Sequence, residues 1–162
     1  MDARDMIRDY EPAEHWDQVR SCVVELQEFE RELEPSLPRG KDMADAYLTF
    51  LLDRCSQTGG RVLVAEVDHE VVGFVAVFAR VVPEEPDEDQ TPYAYISDLV
   101  VLPRYRRRGI GRALLEGAEA FVHSSGARVL RVGVLAKNEP AAKLYRVAGF
   151  SEYQLQLVKR LP

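Results

Sequence analysis

The chain has 162 residues, of which 46% are hydrophobic and 30% are charged. This composition is typical of one ordinary α/β or α+β domain with a substantial core, so residues 1–162 are expected to form a single domain. No apolar run approaches the roughly 18 residues that span a bilayer, and Met1–Ile7 is too polar for a signal peptide. We therefore expect a cytoplasmic protein without a membrane partner.

The charge balance argues against general nucleic-acid binding. The net charge is -6 and the pI is about 5.2, so the arginines between 104 and 112 are a local exception on an acidic protein. Cys22 and Cys55 each lie within a helical apolar pattern, which predicts two buried thiols instead of a disulfide or a zinc site. The three histidines do not cluster along the chain, so no metal site is predicted.

The first half of the chain predicts one short strand, two helices and an antiparallel hairpin. Apolar residues recur every three and four positions after Pro12 and again after Gly40, which indicates two amphipathic helices. The first helix should end before Pro35 and the second at Gly59. The connection Asp68–Glu70 is short enough to force a hairpin. The strands predicted in this half are Met6–Tyr10, Arg61–Val67 and Val71–Arg80.

The second half predicts alternating strands and helices after an acidic, proline-containing loop at Pro83–Pro92. Asn138 suits the start of a helix, and Gly126 and Gly149 suit helix ends. The whole order is βααβββαβαβ, and the crossover helix that begins at Gly111 implies parallel neighbouring strands, so the sheet should be mixed. The strands predicted in this half are Tyr93–Leu102, Arg128–Leu135 and Phe150–Lys159.

The junction between the strand at Tyr93–Leu102 and the following helix carries the strongest chemical signal. Gly109 and Gly111 remove two side chains and expose backbone N–H groups at the helix start, where the helix dipole is positive. Guanidinium groups surround this point, and they suit a phosphate. They belong to Arg104, Arg106, Arg107, Arg108 and Arg112. The residues therefore predict a ligand with a phosphate or pyrophosphate group.

Other interpretations compete for this basic turn. A Rossmann dinucleotide site requires Gly or Ala at position 114, which is Leu, and an acid at the end of the next strand, which closes as Val132–Leu135. A P-loop requires Lys and then Ser or Thr after Gly111, where this chain has Arg112 and Ala113. A nucleic-acid-binding module would need aromatic residues interleaved with the arginines, and Tyr105 stands alone. A solvated basic turn stays open on the short pattern alone.

Two segments resemble the GNAT superfamily of acyl-CoA-dependent N-acetyltransferases. Arg106-x-x-Gly109-x-Gly111 resembles the family's pyrophosphate loop, Gln/Arg-x-x-Gly-x-Gly/Ala, which lies between a strand and a helix. Asn138–Phe150 is similar to a later helix of the family, Asn-x-x-Ala-x-x-Leu-Tyr-x-x-x-Gly-Phe. The element order also resembles the GNAT fold over nearly the whole chain. The resemblance implies an α/β (α+β) fold with a mixed, mostly antiparallel central sheet of six to seven strands, flanked by about four helices.

The resemblance also implies an activity, namely transfer of an acetyl group from acetyl-CoA to a primary amine by direct attack through a tetrahedral intermediate. The acyl group would lie in a cleft between the strands Tyr93–Leu102 and Arg128–Leu135. Backbone groups of residues 99–101 would bond the pantetheine, although a plain core strand is the alternative, and Asn138 would contact the pantetheine or simply cap its helix. The cofactor-binding residues that the resemblance implies are Leu99, Val100, Val101, Arg106, Arg107, Arg108, Gly109, Ile110, Gly111, Arg112, Asn138 and Tyr145.

The catalytic assignments concern one tyrosine and two acids. The resemblance implies that the Tyr145 hydroxyl acts as general acid toward the leaving thiolate, and a core aromatic role is its alternative. Asp98 and Glu66 are acids on otherwise apolar strands, which makes both of them candidate general bases, while a structural role stays open for each. Family members often carry an acid at or next to position 97, and Ser97 there leaves the base open, since a water relay would suffice.

The motifs do not identify the acceptor amine. The resemblance implies that the first two helices and the loop between the third and fourth strands select it, and both regions are acidic here. Such charge ordinarily forms a solvated face, yet it favours a cationic acceptor such as a polyamine, an aminoglycoside-like amine, or a lysine or N-terminus of a protein. A non-catalytic acyl-CoA sensor is the alternative function, and a homodimer stays open. The acidic residues are Glu25, Glu28, Glu30, Glu32, Glu34, Glu84, Glu85, Asp87, Glu88 and Asp89.

Overall fold

The computed structural model describes residues 2–162 and is built on a five-stranded sheet. Its strands are β1 (Ile7–Asp9), β2 (Arg61–Val67), β3 (Glu70–Val81), β4 (Tyr93–Val101) and β5 (Leu130–Val132). They lie in the order β1-β2-β3-β4-β5. Neighbours from β1 to β4 pair antiparallel, whereas β4 and β5 pair parallel, so the sheet is mixed as predicted.

Helices cover both faces of this sheet. They are α1 (Pro12–Leu33), α2 (Gly40–Thr58), α3 (Ile110–Ser124) and α4 (Glu139–Val147), with short 3₁₀ turns at Ala3–Met6 and Pro103–Tyr105. Apolar side chains of α1 and α2 pack around Phe74 on one face, and those of α3 pack with Tyr145 of α4 around Val75 on the other. β3 lies between both layers, and its residues 71–78 are all buried, as expected for an internal strand.

Local signals in the sequence set most element boundaries. α1 ends at Leu33, shortly before Pro35, and α2 ends where Gly59 takes a left-handed conformation with a φ of 66°. The hairpin between β2 and β3 turns on Asp68 and His69, whose φ values of 49° and 65° suit a two-residue turn. Both cysteines are buried. The predicted helices, the hairpin and the buried thiols are therefore confirmed.

A bulge in β4 decides which way its side chains point. Ile96 and Asp98 pair with consecutive residues of β3, so Ser97 is an extra residue in β4. Before this bulge, the Ile96 side chain packs in the layer of α3. After it, Val100 packs in the layer of α1 and α2, and the Asp98 carboxylate bonds a side chain of α2. The extra residue therefore turns Asp98 toward the first two helices.

The strand predicted at Phe150–Lys159 does not form, so the predicted count of six to seven strands is corrected to five. Residues 151–162 are exposed and have no strand assignment. Tyr153 contacts the sheet through its ring, which lies 4.5 Å from the Arg131 guanidinium carbon. The predicted strand Arg128–Leu135 is also shortened to the three residues of β5. Alternating apolar residues mark a two-faced segment, but a strand also needs a backbone edge to pair with, and β5 offers a very short one.

Two expected absences concern membranes and metals. Within residues 2–162, no helix combines the length and the apolar character that crossing a membrane requires. The same part of the chain holds no group of three or more His, Cys, Asp and Glu side chains placed to share a metal ion. The cytoplasmic location, the lack of a metal and the homodimer stay predictions.

Candidate active site

A cleft opens where β4 and β5 separate. The two strands pair from Ala94 with Leu130 to Ile96 with Val132. Beyond this point, residues 97–101 of β4 have no strand beside that edge within the described part of the chain, and residues 133 and 134 after β5 are exposed. Crevices of this kind, at the carboxyl ends of strands, are the usual ligand sites of open α/β sheets. The pairing of β4 with β5 thus ends in the region where the resemblance implies a cleft.

The register of β4 decides which of its backbone groups face this cleft. The Leu102 N–H donates to the Val72 carbonyl at 2.8 Å, so these two residues form a hydrogen-bonded pair. In an antiparallel ladder, such pairs alternate with residues that point away from the partner strand. The backbone groups of Val100 therefore face β3, whereas those of Leu99 and Val101 face the cleft. Of the three residues predicted to bond a pantetheine through their backbone, two are oriented for it.

The basic turn leads directly from this strand edge to the start of α3. Arg107 and Gly109 adopt left-handed conformations, with φ values of 64° and 79°. Gly109 is the N-cap of α3, and no side chain of residues 2–162 caps the helix there. The first N–H groups of α3 are therefore available to a ligand, at the positive end of the helix dipole. The buried side chain of Ile110 fixes this helix start against the core.

Four of the five arginines of the turn fall into two groups. Arg104 and Arg112 pair with carboxylates of the protein itself, whereas Arg107 and Arg108 are exposed and form no ion pair with the residues that the structure describes. The two paired arginines contact Glu70 and Glu116, respectively. Arg107 and Arg108 are therefore the guanidinium groups of this turn that are free to meet an anionic ligand.

Arg106 has a different task, because it anchors the turn to the cleft. Its Nε donates to the Val101 carbonyl at 2.9 Å. Its guanidinium carbon lies 5.5 Å from the ring centre of Phe29 on α1. This residue therefore joins the turn, the strand edge and the first helix, and it bonds one of the two cleft-facing carbonyls of β4.

The second segment that resembles the family supplies Asn138 and Tyr145. The Asn138 side chain accepts from the Ala141 N–H at 3.3 Å and is 8% exposed, so its predicted role as helix cap is confirmed. The Tyr145 ring packs edge-on against Phe150 at 5.6 Å. The residue is buried, yet its hydroxyl is neither enclosed by the protein nor bonded to the described residues. The aromatic body thus belongs to the core while the polar tip is free.

Asp98 lies on the part of β4 that borders the cleft, and its carboxylate is buried and has hydroxyl partners. It is 7% exposed, and the Tyr47 hydroxyl donates to its Oδ1 and Oδ2 at 3.0 and 2.8 Å. The Ser97 hydroxyl donates to Oδ2 at 2.7 Å. Burial raises the pKa of Asp98, and the bonds from Ser97 and Tyr47 oppose that rise. A carboxylate has about four acceptor positions, so Asp98 keeps capacity for a further donor.

Charges and phenols from four elements converge around Asp98. Burial raises the pKa of half-buried Glu30 on α1, and the neighbouring Asp98 raises it further. Burial raises the pKa of Tyr145 on α4, to which Asp98, Tyr95 and Glu30 add. Asp98 of β4 thus has a hydrogen-bond partner on α2 and acts electrostatically on groups of α1 and α4.

Glu66, the second candidate base, does not belong to this cluster. It lies on β2, two strands away from Asp98 in the sheet. Its Oε2 lies 3.4 Å from Nε2 of buried His15, and its Oε1 lies 3.8 Å from Nδ1 of exposed His69. The structure therefore gives this acid local partners near the hairpin, two strands away from Asp98.

The sequence does not single out Tyr47, nor does it distinguish Glu30 from the other acids of α1. Tyr47 occupies the apolar stripe of α2, where it looks like a core aromatic, and Glu30 is one of several acids on α1. The position of Tyr47 in the apolar stripe of α2 does indicate a polar partner in the core, because a buried tyrosine hydroxyl usually has a hydrogen-bond partner. The identity of that partner depends on the bulge in β4, which no local pattern predicted.

Residues 24–150, more than half of the chain, match the model of the Acetyltransferase (GNAT) family. The chain is similar to an N-alpha-acetyltransferase of Sulfurisphaera tokodaii, with 32% identity over 111 residues that cover 65% of each protein. It is also similar to an aminoglycoside N(6')-acetyltransferase type 1 of Stenotrophomonas maltophilia, with 29% identity over 120 residues, 74% of this chain and 78% of that one. The chain matches 44–65% of the length of three curated relatives, the Sulfurisphaera protein included.

The fold is similar to that of AAC(6')-Iy, solved in complex with the bisubstrate analogue CoA-S-monomethyl-acetylneamine. The TM-score is 0.69, and the match covers 96% of this chain and 97% of that one at 20% identity, so the likeness concerns the fold alone. The family match includes both the basic turn Arg106–Gly111 and the helix segment Asn138–Phe150. On these grounds the chain belongs to the acetyltransferase (GNAT) family.

Proposed function

We propose that this protein is an acetyl-CoA-dependent N-acetyltransferase that acts on a primary amine. The observation that carries the proposal is the continuity of two features. They are the uncapped start of α3 beside Arg107 and Arg108, and the edge of β4 at Leu99 and Val101, which no strand pairs and of which only the Val101 carbonyl is taken, by Arg106. A phosphate suits the first, and an extended chain with amide groups suits the second. CoA carries both, as its pyrophosphate and its pantetheine. Family membership supports the same conclusion.

In this proposal Asp98 is the general base. The acceptor must be neutral to attack, whereas a lysine-type amine has a pKa of roughly 10.4 and is protonated near neutral pH. Asp98 borders the cleft on β4, has acceptor capacity beyond its two hydroxyl donors, and has a pKa that burial raises, which makes its carboxylate a stronger base. It takes one proton from the ammonium group, after which the nitrogen lone pair is free to attack the thioester carbon.

Tyr145 is the general acid of the same proposal. As the new C–N bond replaces the C–S bond, the sulfur leaves with the electron pair of that bond, and the free Tyr145 hydroxyl donates a proton to it. The second proton of the nitrogen then restores the phenol. Burial keeps this hydroxyl protonated, because it raises the pKa of Tyr145 well above neutral pH.

The acceptor that the cleft suits best is a cationic amine. Glu30 and Asp98 bring two carboxylates to the cleft, and the loop between β3 and β4 adds exposed acids ahead of the same strand. Negative charge around a cleft raises the local concentration of cations. The similar proteins include an N-alpha-acetyltransferase and an aminoglycoside N(6')-acetyltransferase. A peptide N-terminus and an aminoglycoside are therefore the two acceptors to compare first.

Release of free CoA thiol from acetyl-CoA tests this function. The acceptors are neamine, spermidine and a short peptide with a free N-terminus, and the same peptide with an acetylated N-terminus is the matched control. We expect thiol release with at least one free amine and only background with the blocked peptide. Calorimetric binding of CoA without thiol release from any amine would contradict catalysis and favour the non-catalytic sensor.

A further inference from the structure

One hydrogen bond links the second helix to the cleft across the sheet face. Tyr47 lies in the apolar stripe of α2, and its hydroxyl contacts both carboxylate oxygens of Asp98, at 3.0 and 2.8 Å. The two residues are 51 positions apart in the chain. The Tyr47 ring packs against the core that α1 and α2 share, so its hydroxyl is held in place. The bond is therefore a long-range contact between α2 and the sheet.

This bond acts on a group that burial alone would neutralise. A carboxylate removed from water loses its hydration, and donors within the protein must replace it if the charge is to persist. Tyr47 and Ser97 are the two donors to Asp98 in the described part of the chain. Ser97 is the neighbouring residue and donates to Oδ2, whereas the Tyr47 hydroxyl lies within hydrogen-bond distance of both oxygens and so restricts rotation of the carboxylate.

We propose that Tyr47 is a positioning residue that keeps the Asp98 carboxylate ionised and oriented toward the cleft. Its catalytic consequence rests on the proposed function, in which Asp98 receives the proton of the acceptor ammonium. A base that is neutral or rotated away cannot accept that proton. Together with the Ser97 hydroxyl, the hydroxyl of Tyr47 therefore lowers the pH above which the base is ionised.

Other titratable groups are electrostatically coupled to Asp98, and the charge of each decides whether it stabilises the carboxylate. Glu30 from α1 is negative when ionised and disfavours a second charge beside it. Cys55 on α2, Tyr95 on β4 and Tyr145 on α4 are held neutral, because burial raises the pKa of each. None of these groups stabilises the Asp98 charge. Loss of the Tyr47 hydroxyl therefore removes one of two stabilising contacts and should raise the pKa of Asp98.

Carboxyl NMR of the protein labelled with ¹³C at aspartate tests this directly and needs no substrate. Asp98→Asn identifies the Asp98 signal. In Tyr47→Phe we expect the pKa of Asp98 to rise by about one unit, since one hydrogen bond to the charged form is lost. Tyr10→Phe is the matched control, because the buried Tyr10 hydroxyl has no partner among residues 2–162 and its loss should leave the titration unchanged. An unchanged pKa in Tyr47→Phe would overturn the proposal.

The pH profile of thiol release with the best amine extends the test to catalysis. The base must be deprotonated, so kcat/KM rises with pH through its pKa and then levels off. Tyr47→Phe should shift this acidic limb to higher pH by the same amount as the NMR titration, while calorimetric CoA affinity stays unchanged. A drop in kcat/KM of equal size at every pH would indicate a merely structural role. If no amine is acetylated, the proposed function fails, whereas the NMR titration still decides the role of Tyr47.

Discussion

The two ends of the cleft are built in different ways. The end proposed to bind phosphate consists of consecutive residues, from the edge of β4 through the basic turn to the first turn of α3, and it would bind largely through backbone N–H groups. The acceptor end consists of single side chains from four elements, with Glu30, Tyr47, Asp98 and Tyr145 far apart in the chain. A contiguous loop can be read as a motif, whereas an assembled cluster exists only once the layers have packed.

Replacement of the base should have the largest effect on catalysis and should leave the phosphate end intact. Asp98→Asn preserves the shape of the side chain, so we expect kcat to fall by about 10²–10⁴-fold, as for loss of a general base. The calorimetric affinity for CoA should stay within about twofold. Glu66→Gln is the matched control and should retain its activity, since that acid lies two strands away beside His15. Full activity of Asp98→Asn would show that a water relay removes the proton.

Substitution at the phosphate end should have the opposite effect and weaken the binding of CoA. Gly109→Val places a branched side chain at a φ of 79° and distorts the helix start, so the dissociation constant of CoA should rise by about a hundredfold. Gly126→Val carries the same backbone strain at a φ of 82° beyond the other end of α3, and nothing lies within 4 Å of the added Cβ. This control should lower the melting temperature without weakening CoA binding. Equal CoA affinity in both variants would remove the ligand from this turn.

Substitution of Tyr145 should lower kcat while leaving CoA binding and stability nearly unchanged. Tyr145→Phe keeps the ring that packs on Phe150 and removes the unbonded hydroxyl, so kcat should fall about tenfold or more. CoA affinity and melting temperature should change little, because the hydroxyl has no bond to the described residues. Wild-type turnover of Tyr145→Phe at every pH would assign the residue to the core alone.

The smallest expected effect concerns the acidic loop between β3 and β4. Neutral amides at its five acids should raise the KM for a cationic amine about threefold and change kcat less, because the loop attracts the acceptor over a distance. Added salt should raise the KM of the wild type and have little effect on the variant. Unchanged kinetics would mean that the loop is merely solvated. The acids are Glu84, Glu85, Asp87, Glu88 and Asp89.

Much of the scaffold could be predicted from the chain because its signals are local. Helix ends follow from Pro35 and Gly59, the hairpin from a two-residue turn, and the helix cap from Asn138. Each depends on backbone angles or hydrogen bonds among residues a few positions apart. The same holds for the basic turn, because its glycines and arginines lie within a few positions of one another in the chain.

The tertiary structure decided what depends on pairing between distant segments. The alternation in Phe150–Lys159 marks a two-faced segment, but the short edge of β5 leaves it without a partner, and the same divergence of β4 from β5 opens the cleft. The extra residue Ser97 turns the Asp98 side chain to the sheet face that α1 and α2 cover, where the Tyr47 hydroxyl donates to it. Strand register and layer packing are long-range properties, so no local pattern could show that a core aromatic and a buried acid would meet.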